Sequence, residues 1–417
     1  MAQPRLDLVL KGGRVIDPAN GVDGLFDVGI FDGKIARVEA QIPKADAIRT
    51  VDVSGLLVTP GLIDIHIHAY FTRILGDGLF LQSLNPDAHF PASGVTTCVD
   101  TGTAGYQEIT HFRQTVMEKA KTRVLAYINI AAPGMGAPEQ DIRTFDTDGA
   151  SRAAKEHADV VVGIKTAHYW TSLPFDEMHP AWESVEKSVE AGNKCDMPVM
   201  VDFWPRPPER SYPQLILEKL RPGDIHTHVY ARQFPVVDES GNVEPYMFEA
   251  RERGIWFDLG HGAASFWYRN GARAIKNGFG PDSISTDLHM GNIMGPVFSM
   301  QDTMSKCMAM GMTLEDVIYR STVTPAKAIH RPELGTLSIG AEADVAVLDL
   351  EKGVFPLQDC GYTRIDANER LVCRLTLRAG KIIFDRDART VPLWEDAPSE
   401  YWPVTVVPEP VPRLWKD

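Results

Sequence analysis

The chain has 417 residues, with 42 Lys and Arg against 56 Asp and Glu, a formal net charge of −14. That balance argues against nucleic acid or an anionic membrane surface as partner, and the length allows two to four ordinary domains or one α/β barrel of about 250 residues beside a smaller unit. Five scattered cysteines without CxxC spacing argue against a disulfide framework or a zinc knuckle. Reduced thiols are their plain reading. With no signal-peptide core and no run of about 18 apolar residues, a soluble cytoplasmic protein is expected.

In chain order, residues 6–38 read as short strands with turns, and the Asp-Gly at 32 and 33 between apolar stretches predicts a hairpin. From residue 61 the texture changes. Apolar or β-branched runs recur at intervals of about thirty residues: 61–68, 95–100, 124–130, 160–165, 198–203, 224–229, 255–259 and 283–287. Between them lie helix-like stretches such as 176–191 and 302–310. Eight strand-helix units make a (β/α)8 TIM barrel the economical α/β architecture, and the main competitor, a doubly wound sheet, lacks its Gly-rich phosphate turn here. Residues 343–350 and 372–384 return to the strand texture of the start. The expected layout is therefore a small β-sandwich from 1–58 and 334–391, a barrel over 59–333, and a Pro- and Trp-rich arm over 392–417, packed on the body.

Of twelve histidines, four sit in two His-x-His pairs. Residues i and i+2 of a strand share a face, so His66 and His68 project together at the end of the first barrel strand, where barrels place their chemistry. One such histidine alone would be unremarkable; the pair points to a metal. Lys165 closes the apolar run VVVGIK, where an interior amine is costly unless paired or modified, although a strand-end lysine can also snorkel to solvent. His226 and His228 form the second pair. Asp287 ends the eighth run and could equally cap a helix. Together these imidazoles, the carboxylate and the lysine suit one or two divalent cations of zinc type, with a water of lowered pKa and Asp287 as general base.

The segments Val51–His68 (VDVSGLLVTPGLIDIHIH), Ser321–Ile329 (STVTPAKAI) and Leu334–Leu350 resemble the entry to and exit from the barrel of the amidohydrolase superfamily. The resemblance spans nearly the whole chain, and is closest to the deacetylases and esterases that often carry the dihydroorotase label. It implies that His66 and His68 bind a first metal that Asp287 completes. It implies that Lys165 is carboxylated by CO2 to a bridging carbamate, and that His228 binds a second metal. At the fifth strand, where the family usually has histidine, this chain has Asp202. A carboxylate there keeps a two-metal site feasible while favouring harder ions such as manganese, or leaves the second ion weak. His226 is then an alternative ligand or a support to the ligands.

Dihydroorotases carry an arginine two residues after the first His-x-His; this chain has Tyr70. Candidate substrate contacts are Tyr70, Tyr169, Arg206, Arg210, His261, Ser265 and His289, with ordinary surface charge as the bland reading of both arginines. Six histidines (His89, His111, His157, His168, His179, His330) have no assigned chemistry. The expected function is hydrolysis of an amide or ester of a small carboxylic acid, such as an N-acyl amino acid or O-acyl hydroxy acid, by a homo-oligomeric enzyme. Cyclic amide hydrolysis is the first alternative and a non-catalytic scaffold the second.

Overall fold

The computed structural model describes residues 5–73 and 83–397; of the expected C-terminal arm, residues 398–417 lie outside the described residues. The N-terminal strands are β1 (Leu6–Asp17), β2 (Val22–Phe31), β3 (Lys34–Glu39), β4 (Ala47–Asp52) and β5 (Leu57–Pro60). Asp32 and Gly33 both have positive φ, the type I′ turn that the Asp-Gly predicts for a two-residue hairpin. The C-terminal strands β13 (Val345–Gln358), β14 (Arg364–Arg378) and β15 (Lys381–Asp385) join them in a single eight-stranded sheet, ordered β15-β14-β13-β5-β1-β2-β3 with β4 on β1. Inward residues from both ends, among them Val15, Val28, Val58, Val345 and Leu375, form its own apolar core.

The chain passes at Gly61 into a second, parallel sheet. Its strands are β6 (Leu62–Ile67), β7 (Val95–Gly105), β8 (Arg123–Asn129), β9 (Val161–Thr166), β10 (Val199–Val201), β11 (Ile225–His226) and β12 (Trp256–Phe257), in sequential order. These strands are almost wholly buried, as parallel strands covered on both faces must be. The eighth expected strand is irregular, yet residues 283–288 bridge both edges: Ser283 pairs with Asp258, and Leu288 with Ile67. The ring thereby closes as a TIM-barrel-like domain.

Helices Thr147–Glu156, Glu183–Cys195, Tyr268–Lys276, Met300–Ala309 and Leu314–Ala328 are among those that follow the strands. Side-chain caps mark several starts, with Asp146, Ser299 and Thr313 each accepting a backbone N–H of the first turn. The helix expected from residue 176 begins only at Glu183. Asp176 instead accepts the Met178 N–H in a local turn, and Pro180 disfavours helical geometry at the residue before it.

Candidate metal centre

His66 and His68 leave β6 on one face, as the period of two requires, and both rings are buried. Each is oriented through Nδ1. That of His66 lies 2.7 Å from Thr227 Oγ1, whose hydroxyl donates to Asp258, and that of His68 lies 2.7 Å from Thr103 Oγ1. The Nε2 atoms are left facing Asp287 Oδ1 at 3.6 and 3.2 Å. Ligand atoms of His66, His68 and Asp287 all lie within 4.8 Å of one another. Holding one imidazole nitrogen with a hydroxyl while the other faces a carboxylate is how proteins prepare metal-binding histidines. Burial, reinforced by the neighbouring Lys165 amine, lowers His66 to about 3 against the opposing pull of Asp287.

Asp287 reaches this position from a backbone turned to φ 49°. Its N–H donates to the His66 carbonyl and its own carbonyl accepts from Asn292 Nδ2, both at 2.6 Å. Burial alone would raise its pKa. The facing imidazoles of His66, His68 and His289 outweigh that and hold it well below the usual carboxylate range.

A second group stands beside the first. Lys165 is 1% exposed, and its buried Nζ has no hydrogen-bond partner among the described residues. Burial lowers its pKa against the pull of Asp202 and Asp287. Its stem passes Gly102 so closely that a Cβ there would lie 2.8 Å from Lys165 Cβ and Cγ. Asp202, just beyond β10, places Oδ2 3.6 Å from His228 Nε2 and 3.4 Å from His168 Nε2. His228 Nδ1 donates to the Gly260 carbonyl at 2.5 Å, which leaves Nε2 as the free nitrogen. The His66 and His228 rings, 4.8 Å apart, join the two groups. An orphaned buried amine and two imidazoles with free Nε2 atoms beside carboxylates are the donor chemistry a divalent metal requires.

The second His-x-His pair does not share a face. His228 has φ 62°, outside the extended region, so the i, i+2 rule fails there. His226 points instead among Tyr212, Phe234 and Phe257, with both ring nitrogens unpaired among the described residues. His168, given no chemistry from sequence, does join the site. Burial would lower it, but Glu139 and Asp202 outweigh this and raise it to about 9, an effect that water tempers because the side chain is 50% exposed. Thr103, Thr227 and Asp258 also escaped sequence reasoning, because each acts only on a neighbour brought close by folding.

The expected substrate contacts fare differently. Tyr70 is buried on Phe112, its hydroxyl donating to Glu108 at 2.8 Å beside His111. Tyr169 is buried against Phe145. Arg210 spends its guanidinium on the carbonyls of Trp204, Tyr169 and Trp170, and Arg206 bonds those of Trp170 and Leu173. His289 adjoins the metal group, its ring centroid 6.2 Å from that of His68. Gly262, beside His261, lies so near Asp287 that a Cβ would sit 2.8 Å from Oδ2 and 3.3 Å from Ser265 Oγ. Beside these loops a cavity of about 780 Å³ opens between Ala263, Gly291, Phe298 and the β13–β14 hairpin tip at Cys360 and Tyr362.

This geometry has relatives. A deacetylase of Enterococcus faecalis is 30% identical over 383 residues, 90% of this chain and 98% of its own. The chain belongs to the amidohydrolase family. The family model itself matches residues 268–385. Among solved structures, one described as an adenine deaminase superposes with TM-score 0.82 at 28% identity, covering 91% of this chain and all of the other. Another, a dihydroorotase, gives 0.75 at 27%, covering 91% and 99%. Amidohydrolases are hydrolases of C–N bonds that generally use divalent metal ions, and this one carries a His-His-Asp group suited to holding one. Among the described residues no helix is long and apolar enough to cross a membrane.

Proposed function

We propose that this amidohydrolase cleaves an amide or ester of a small carboxylic acid, an N-acyl amino acid or an O-acyl hydroxy acid. The observation that carries the reading is the convergence of His66, His68 and Asp287 on one point beside Lys165, Asp202 and His228. The deacetylase relative supports the substrate class. One or two divalent ions, zinc foremost and manganese as the alternative suited to Asp202, would be held by these six residues, with a CO2-derived carbamate on Lys165. Such a metal supplies an acidified water and polarises the acyl carbonyl.

The chain's own groups do the rest. Asp287, anionic at neutral pH, accepts the proton of the attacking water and returns it to the leaving nitrogen or oxygen. His289 borders the path of that proton, and the cavity by Ala263 and Gly291 receives the acid portion of the substrate. The accompanying architecture is a (β/α)8 barrel over 59–333, with the eight-stranded sheet of 1–58 and 334–391 closing over its own apolar core as a small β-sandwich. We place the protein in the cytoplasm as a homo-oligomer; its five free cysteines suit a reducing compartment.

The dihydroorotase neighbour favours cyclic amide hydrolysis as the second reading. A panel of racemic acyl-amino acids and acyl-hydroxy acids set against cyclic ureides separates the two. Turnover of acyl substrates alone is expected; turnover of the cyclic set alone overturns the proposal. Elemental analysis tests the scaffold alternative, which requires less than about one ion per chain and no gain in hydrolysis on adding zinc or manganese.

A further inference from the structure

Behind the two loops at Asp287 lies a cation with no part in the scheme above. Lys306, on the helix Met300–Ala309, is 1% exposed. Its Nζ donates to His261 Nε2 at 2.9 Å and to the Pro296 carbonyl at 2.5 Å. Among the described residues no carboxylate lies within ion-pair reach of it. Burial lowers its pKa to about 8 although Asp302 opposes the shift. Burying an ammonium costs several kcal/mol even after relaxation, so a lysine placed here needs a reason.

Its two acceptors belong to different loops, and both loops touch Asp287. His261 and Gly262 follow β12; their N–H groups donate to Ser285 and Thr286 carbonyls, and Gly262 lies against the Asp287 carboxylate. Pro296 lies in the loop after Asp287. There Asn292 donates to the Asp287 carbonyl at 2.6 Å, accepts the His289 N–H at 2.9 Å, and takes the Val297 N–H on its own carbonyl. Asp287 itself sits at φ 49°, a conformation that persists only where surrounding contacts enforce it.

We infer that Lys306 is a positioning residue for Asp287, its ammonium locking together, through His261 and Pro296, the two loops that hold the base. The inference rests on the reading of Asp287 as general base. Methionine at this site keeps the bulk and removes the donors; glutamine keeps an N–H and serves if the methionine variant does not fold. In the metal-free protein, Lys306→Met is expected to speed amide exchange at least about tenfold in residues 260–263 and 287–297 and not in the terminal sheet. In the metal-loaded protein kcat falls about 10- to 100-fold with KM within about threefold, because a misplaced base loses rate and not binding. Lys306→Gln falls between Lys306→Met and the parent. Unchanged exchange in both loops, or an unchanged kcat in a folded variant whose Tm alone drops, overturns the inference. Should the parent hydrolyse no member of the panel, the proposed function fails on that result, while the exchange comparison still decides whether Lys306 locks the loops.

Discussion

Asp287 and His226 show how differently one side chain can depend on its surroundings. Asp287 is held anionic by three imidazoles and is the group expected to move the proton. Asp287→Asn keeps the carbonyl oxygen that faces His66 and His68 but cannot accept a proton. It is expected to retain most of the metal and lose about 10²- to 10⁴-fold in kcat. Near-normal turnover with full metal would refute the role. His226 is the opposite case, a buried imidazole in an apolar box, where burial lowers its pKa to about 3 despite Asp202. An unfolded histidine titrates near 6.5, so the unfolded chain binds the extra proton between about pH 3 and 6.5. The stability linked to His226 is present in full above about pH 6.5 and is lost as pH falls toward 3. His226→Leu should flatten that acid limb in urea midpoints taken at pH 5 and 8; an unchanged slope counts against it. The HTH spacing offers two candidate ligands on one face, whereas the left-handed backbone at His228 brings that ring, and not His226, beside Asp202 and His66. A single φ reversal is invisible to a pattern that assumes regular strand geometry.

Regularity also decides what can be read from the elements. β6 is a proper strand, so the partnership of His66 and His68 follows from alternation alone. Strands β10, β11 and β12 have only two or three residues, and their ends leave extended geometry where the site begins. His228 and Asp287 are legible as polar residues ending barrel strands, and Asp202 through the family resemblance, but the contacts of all three depend on those irregular exits. His168, also at positive φ, comes from the loop after β9, where no periodicity signals its direction. Arg206 and Arg210, in the loop after β10, read from sequence as candidate substrate contacts or as ordinary surface charge. They serve loop carbonyls whose approach is set by folding. At β7, Gly102→Ala tests how tightly the elements grip the second group. The position has φ 78°, and the new Cβ would meet the Lys165 stem at 2.8 Å. A loss of about 1–3 kcal/mol is expected in chemical denaturation, with Lys165 displaced; a neutral result would mean that β7 yields easily.

For the whole molecule, the ring brings β6 and residues 283–288 side by side although more than two hundred positions separate them. The His66 carbonyl accepts the Asp287 N–H across that seam, so closing the barrel and assembling the first metal group are one event. The terminal sheet is tied to the same body by Arg123 to Asp344 at 2.6 Å and by the Leu371 N–H to Ser305 Oγ at 2.9 Å, next to Lys306. A metal that binds only the folded state adds stability by mass action, about 2.7 kcal/mol at a hundredfold excess over Kd. Chelation is therefore expected to lower Tm, readded zinc or manganese to restore it, and His66→Ala with His68→Ala to abolish the response. A Tm indifferent to chelator in the parent would count against a resident ion.

The sequence by itself determined the alternation that pairs His66 with His68, the strand-helix rhythm of a barrel, the terminal hairpins and the family. Each depends on short-range spacing, which covalent geometry converts directly into structure. Only the tertiary structure decided that the two ends share one sheet, that His226 turns away while His168 turns in, and that Lys306 clamps the loops at Asp287. Those outcomes rest on positive-φ exits and on hydrogen bonds between distant segments, whose partners are chosen by closure of the ring and not by any local pattern.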